Sequence, residues 1–153
     1  MDYEKIFSQN KEEKIKGRYI TFDDIEPILM KLNSDNQLQI VGKSVQEKPI
    51  YSFQIGTGKI KILLWSQMHG NESNATHAML DLLTTLDKAP ELKDTLFKAI
   101  KLDFIFMLNP DGSEKWTRLN ASDIDLNRDF HNEASKEIKL LKQVVSKKKY
   151  HYA

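Results

Sequence analysis

The most apolar run of the chain, Ile60-Lys61-Ile62-Leu63-Leu64-Trp65, leads directly into Ser66-Gln67-Met68-His69-Gly70-Asn71-Glu72. Beyond that stretch Ala75, Ala78, Met79, Leu82, Leu83 and Leu86 recur at helical spacing. A near-continuous apolar run reads as a strand covered on both faces. The spacing after it predicts a helix over Ser73–Leu86. Strand, tight turn and helix therefore converge on a histidine and a glutamate three positions apart. In the first turn of a helix such residues share a face, so one imidazole and one carboxylate can reach a single ion. Gly70 between them leaves room for close backbone approach.

The rest of the chain alternates in the same way. Residues 1–20 read as a polar, lightly held helical lead-in with Ile6, Phe7 and Ile15 as anchors, and residues 21–153 as one domain. Thr21 can cap a helix carrying Phe22, Ile25, Leu29 and Leu32, with Asp23 and Asp24 in its favourable first turn. Pro27 predicts a kink there, or a start near Glu26. Asn33–Asn36 reads as a turn. Leu38–Val41 and Tyr51–Ile55 alternate as half-exposed strands do, and Gly56-Thr57-Gly58-Lys59 reads as a hairpin turn into Ile60. It lacks the spacing of a phosphate loop. Pro90-Glu91 opens a helix carrying Leu92, Leu96, Phe97 and Ile100. Leu102–Leu108 is a second buried strand, stopped by the turn chemistry of Asn109-Pro110-Asp111-Gly112. A polar loop through Trp116 and Arg118 reaches Ile124–Phe130. Ala134, Ile138, Leu141 and Val145 then mark a last helix, whose Lys147-Lys148-Lys149 end reads as solvated and complements the dipole.

Strands alternating with helices predict an α/β domain with a mixed central sheet and helices on both faces. Ligands of such sheets gather beyond the carboxyl ends of the strands, where His69, Glu72 and Asn109–Gly112 fall. With 153 residues, 40% of them hydrophobic, the chain can bury one core. A net charge of +1, from 23 basic and 22 acidic residues without large blocks, argues against a nucleic-acid footprint or a basic membrane-binding helix. Zero cysteines exclude disulfides and thiolate metal sites, leaving His, Asp and Glu as metal ligands. No leader pattern and no bilayer-length apolar run are visible, so a cytoplasmic location is expected.

His69 and Glu72 offer a neutral nitrogen and a charged oxygen donor, a mixture that zinc accepts. Arg118, Asn127 and Arg128 supply positive charge and amide donors suited to a carboxylate or an oxyanion. His77 and His131 read as surface or core histidines.

His69-Gly-Asn-Glu72, Asn109-Pro-Asp-Gly112, Arg118-Leu-Asn120 and Ile124-Asp-Leu-Asn-Arg-Asp-Phe130 follow one another in order. From about Ile60 onward the chain resembles the front part of a zinc carboxypeptidase of the M14 family. The resemblance implies that His69 and Glu72 are two ligands of one Zn²⁺. It implies that Arg118 stabilises an oxyanion, and that Asn127 and Arg128 hold the free C-terminal carboxylate of a peptide substrate. A third ligand, a histidine at the end of a later strand, and a water-activating glutamate are expected beyond Ala153. Tyr150–Ala153 reads as the opening of that later strand, and His151 sits where it begins. The implied function is hydrolysis of C-terminal peptide bonds, with these 153 residues a truncated, inactive part whose fold is incomplete at its C-terminal end. Two other readings stay open. One is a zinc deacylase of N-acyl amino acids, similar to aspartoacylase and succinylglutamate desuccinylase. The other is a non-catalytic module that binds a carboxylate or peptide tail. The Asn109–Gly112 motif and the Asp129-Phe130 ending favour the peptidase.

Overall fold

The computed structural model describes residues 2–33 and 37–153, so most of the turn expected at Asn33–Asn36 lies outside the described residues. The elements run α1 (Tyr3–Asn10), α2 (Phe22–Leu32), β1 (Leu38–Lys43), β2 (Pro49–Ile55), β3 (Ile60–Trp65), α3 (Asn74–Asp87) and α4 (Pro90–Ala99). They continue with β4 (Ile100–Phe106), α5 (Pro110–Glu114), α6 (Leu126–Asp129) and α7 (Lys136–Lys147). The strands form one sheet in the order β1-β2-β4-β3. β2 pairs antiparallel with β1 and β4, and β3 pairs parallel with β4. On one face Ile25, Leu29, Leu80, Leu83 and Phe97 pack against Phe53, Phe104 and Phe106. On the other, Leu126, Ile138 and Leu141 pack against Ile50, Leu63 and Ile105. The expected mixed sheet with helices on both faces is what the chain forms.

Sheet order reverses two of the exposure expectations. The alternating run in β2 is central, and Tyr51, Ser52 and Phe53 are all buried. The continuous apolar run in β3 is an outer strand that leaves Ile60 and Leu64 exposed. Beyond it, among the described residues, lies a single bridge from Ile62 to Tyr152. Gly56–Lys59 is not a hairpin either, because β2 and β3 flank β4 and their link must cross its end. There Thr57 N–H donates to Phe97 O at 2.9 Å and Gly58 N–H to Ile100 O at 3.2 Å. A Cβ on Gly58 would stand 2.0 Å from the Ala99 backbone carbon, so only glycine makes this crossing.

Local chemistry explains the helix ends. Asp24 accepts the Thr21 N–H and hydroxyl, each at 2.8 Å, so α2 begins at Phe22 and carries Pro27 on its exposed side. α3 is turned from the face expected of it: Thr76, Met79, Leu80, Leu83 and Leu86 are buried, while Ala75, Ala78 and Leu82 are exposed. The cause is Thr76, whose hydroxyl is drawn into a buried polar network described below. α1 buries no residue, yet Ile15 and Ile20 of the lead-in enter the core. In α7 the seated residues are Ile138, Leu140 and Leu141, whereas Val145 is exposed, as is Ala134, which lies ahead of the Ser135 cap rather than in the helix. Lys148 is not simply a solvated helix end: its ammonium and the Tyr150 hydroxyl both donate to buried Asp103, each at 2.6 Å. No helix among the described residues is long and apolar enough to cross a membrane.

Candidate functional site

Parallel pairing brings the carboxyl ends of β3 and β4 to the same edge of the sheet. Just past them Gln67 (φ 45°) and Met107 (φ 49°) adopt left-handed backbone, which costs about 1–3 kcal/mol for a residue with a side chain. A buried network holds both. Ser66 Oγ accepts the Met107 N–H at 3.0 Å and lies 2.7 Å from Thr76 Oγ1, which donates to Gln67 Oε1 at 2.6 Å. Gln67 Nε2 in turn donates to Gly70 O at 2.9 Å and to Ile20 O at 3.2 Å. Asn109 N–H closes the edge on Gln67 O at 3.0 Å. Gly70 lies against Gly112 so closely that a Cβ would stand 2.0 Å from the Gly112 backbone carbon. The two motifs thus fold as one body.

Asn109-Pro110-Asp111-Gly112 opens the short helix α5 rather than a plain turn. Asn109 Oδ1 accepts the Gly112 N–H at 2.9 Å and caps it. Asp111, fully buried, accepts the Ser44 hydroxyl at 2.7 Å and the Gln46 N–H at 3.0 Å, tying down the β1–β2 loop.

His69 is 7% exposed. Its Nδ1 lies 3.0 Å from Glu72 Oε2 and its Nε2 3.1 Å from Asp125 Oδ1. Arg118 Nε donates to Asp125 Oδ2 at 2.8 Å, and its Nη1 to Glu72 Oε1 at 3.4 Å. Asp125 also caps α6, accepting the N–H groups of Asn127 at 3.0 Å and Arg128 at 3.3 Å. Burial pushes the Asp125 carboxyl up, but hydrogen bonds from Arg118, His69 and the Arg128 N–H outweigh it and hold the group well below the usual carboxylate range. It is an anion at any physiological pH.

The structure therefore gathers His69, Glu72 and Arg118 into one cluster and seats Asn127 and Arg128 on it through the main chain of α6. Both of those side chains are exposed, and among the described residues neither hydrogen-bonds to protein. The other three histidines stay apart. His77 faces Asp81 at 3.8 Å, and exposed His131 lies edge-on to Phe130. His151 accepts the Lys61 N–H at 3.1 Å, at the opposite end of β3 from His69, and is no ligand to this cluster. Sequence reasoning gave Asp125 no role. Its signal was an aspartate just before a short helix, at a cap position; nothing local said that its other contacts would be His69 and Arg118. Asp129 was likewise unassigned: buried, it accepts N–H bonds from Ala134 and Ser135 and the Ser135 hydroxyl.

The donor set fits zinc in kind. A histidine nitrogen faces a carboxylate oxygen, and the other ring nitrogen rests on a carboxylate, the arrangement that fixes an imidazole ligand's tautomer and orientation. Among the described residues no group of three or more His, Cys, Asp or Glu side chains is arranged to hold an ion.

The family model of the zinc carboxypeptidases matches residues 29–151. The chain belongs to this family. Carboxypeptidase SOL1 of Arabidopsis thaliana is 29% identical over 125 residues, covering 73% of the chain and 26% of the relative. The chain thus spans about a quarter of that protein. A metallo-carboxypeptidase from Burkholderia cenocepacia superposes with a TM-score of 0.78 at 21% identity, over 87% of this chain and 40% of the other. Thrombin-activatable fibrinolysis inhibitor gives 0.75 at 15% identity, over 97% and 51%. A metallo-carboxypeptidase from Pseudomonas aeruginosa, in complex with (2-guanidinoethylmercapto)succinic acid, gives 0.71 at 18%, over 87% and 38%. At these identities the likeness is one of fold.

Proposed function

We propose that the chain carries the zinc-ligand and carboxylate-reading parts of a metallocarboxypeptidase that cleaves C-terminal peptide bonds. The observation that carries the reading is the closed cluster His69–Glu72–Arg118–Asp125, with Asn127 and Arg128 seated beside it by the same aspartate. Family membership supports it, and the carboxylate-bearing compound held by the P. aeruginosa protein is consistent with a site that reads carboxylates.

His69 and Glu72 would hold Zn²⁺, which when bound supplies Lewis-acid polarisation of the scissile carbonyl. Arg128 and Asn127 bind the free terminal carboxylate and so set the register to the last residue. Arg118, oriented by Asp125, places its guanidinium beside Glu72 to stabilise the oxyanion that develops on the carbonyl. Asp125 keeps the His69 ring turned so that Nδ1 faces Glu72. A third metal donor and a general base are needed for turnover. We therefore propose that the 153 residues alone bind a peptide carboxylate without hydrolysing the peptide.

The test compares a peptide bearing a free C-terminal carboxylate with its C-terminal amide, with and without Zn²⁺. The acid should bind and the amide should not, and Arg128→Ala should erase the difference. Equal binding of acid and amide sinks the exopeptidase reading. Tighter binding of an N-acyl amino acid than of the peptide moves the assignment to the deacylases.

A further inference from the structure

The lead-in is fastened to the site residue by residue. Ser73 Oγ–H donates to the Arg18 carbonyl, and Gln67 Nε2 donates to the Ile20 carbonyl at 3.2 Å. Between them the Tyr19 hydroxyl donates to Glu114 O at 2.8 Å, and the Tyr19 ring meets Trp116 with centroids 5.0 Å apart. Ile15 and Ile20 anchor the two ends of this segment in the core, and Gly17 (φ +72°) turns it. These contacts hold Arg18 over an open groove of about 500 Å³ bounded by Arg18, Asn71, Glu72, Ser73, Asn74 and Ala75.

The charge in that groove is unbalanced. Its two ionisable side chains are Arg18 and Glu72. Glu72 is engaged by both His69 and Arg118. The exposed Arg18 guanidinium has no acidic partner and no hydrogen bond to protein among the described residues. The contacts already described connect the groove to the proposed carboxylate site: Arg128 and Asn127 sit on Asp125, Asp125 on Arg118, Arg118 on Glu72, and Glu72 lines the groove. On the carboxypeptidase reading, a peptide whose terminal carboxylate rests at Arg128 and whose scissile carbonyl meets Arg118 would carry its preceding residues past Glu72 into the groove that Arg18 shares.

We infer that Arg18, on a segment fastened by the contacts of Tyr19 with Glu114 and Trp116, forms an upstream peptide subsite that selects an acidic side chain before the scissile bond. The inference rests on the carboxypeptidase reading for its direction, and on the groove and its unpaired cation for its chemistry. An exposed guanidinium–carboxylate pair is a modest contact, so the preference for Glu over Lys should be about fivefold at low salt and should shrink as salt is added.

The experiment measures binding of labelled pentapeptides to the 153-residue chain by anisotropy. Glu, Gln or Lys stands at the second and third residues before the C-terminal one, each peptide as the free acid and as the amide. The wild type should rank Glu above Gln above Lys. Arg18→Gln should level the ranking, Arg18→Lys should retain it, and Arg18→Glu should invert it, with the acid-over-amide preference unchanged. Because the exposed guanidinium makes no hydrogen bond or ion pair among the described residues, these variants should match the wild type in circular dichroism and melting temperature. A ranking absent from the wild type, or unmoved in Arg18→Glu, while the free acid is still preferred, overturns the subsite and leaves the carboxypeptidase reading standing. Loss of the acid-over-amide preference with an Arg18-dependent ranking intact does the reverse. Failure of every peptide to bind overturns both.

Discussion

His69 with Glu72, and Asn127 with Arg128, occupy one cluster but are held in different ways. The proposed metal-side pair is fixed through side chains: His69 is buried with a carboxylate on each ring nitrogen, and Glu72 meets both His69 and Arg118. The pair proposed to bind the carboxylate is fixed through the main chain alone, by two N–H bonds to Asp125, and its side chains are exposed. The difference matches what each pair would meet. A metal ligand must hold one geometry, so its ring is braced. A residue that reads a flexible peptide end needs its charge uncommitted until the ligand arrives, because an existing ion pair would have to be broken first. Asp125 is the joint between the two halves.

The largest effect is expected where both halves share a foundation. Gly70→Ala forces a Cβ into the Gly112 backbone, so denaturant unfolding should show a loss of about 3 kcal/mol. An unchanged midpoint would mean that the two motifs do not meet as described. Asp125→Ala should affect both halves at once. Loss of the cap should cost about 1–2 kcal/mol, and Zn²⁺ affinity, read by calorimetry, should fall about 10–100-fold. Affinity for the peptide carboxylate should fall with it. If the zinc affinity falls while peptide binding holds, the halves are not coupled through this residue.

A smaller, pH-dependent effect is expected at Asp129, just past Asn127 and Arg128. Burial raises its carboxyl pKa, but the hydroxyl and N–H of Ser135 and the N–H of Ala134 outweigh that and keep it below the ordinary value. A folded pKa below the unfolded one means a contribution present above about pH 4 and lost as pH falls through the folded value. Urea unfolding of Asp129→Asn should therefore show the greatest deficit near neutral pH, narrowing toward pH 3. A constant deficit would assign the residue's worth to shape rather than charge. Arg128→Ala should be the mildest for stability, within about 0.5 kcal/mol, and should leave Zn²⁺ affinity unchanged. Binding of a free peptide carboxylate should nonetheless fall about tenfold or more. That dissociation is the sharpest separation of the two halves, and a parallel loss of zinc affinity would abolish it.

Within the site, legibility followed sequence distance. His69 and Glu72 were readable as a pair because only three positions separate them, although the structure joins them in a tight turn ahead of α3, Glu72 N–H donating to His69 O at 3.0 Å, rather than in the first turn of the helix. The strand that precedes them was readable from its near-continuous apolar run, and the mixed sheet with helices on both faces from the alternation of strand-like and helix-like periods. Asp125 was not, since its contact with His69 spans 56 residues, and that of Arg118 with Glu72 spans 46. The buried Ser66–Thr76–Gln67 network was also invisible, and it rotates α3 away from the face that its leucines and alanines suggested. Asn109, Asp111 and Asp129 sit inside motifs that read as functional, yet their side chains cap and tie loops.

Local chemistry set the element types, the meeting of His69 with Glu72 across one tight turn, and the glycines at the tight crossings. Each depends on backbone geometry over a few residues, which periodicity and turn residues specify directly. Tertiary structure alone decided that β2 is central and β3 outer, and that Gly56–Lys59 crosses β4 rather than closing a hairpin. It also decided that Asp125 joins His69 to Arg118. Strand order is settled by which arrangement buries most of the apolar surface while pairing the buried backbone donors. No single run of the chain holds that information.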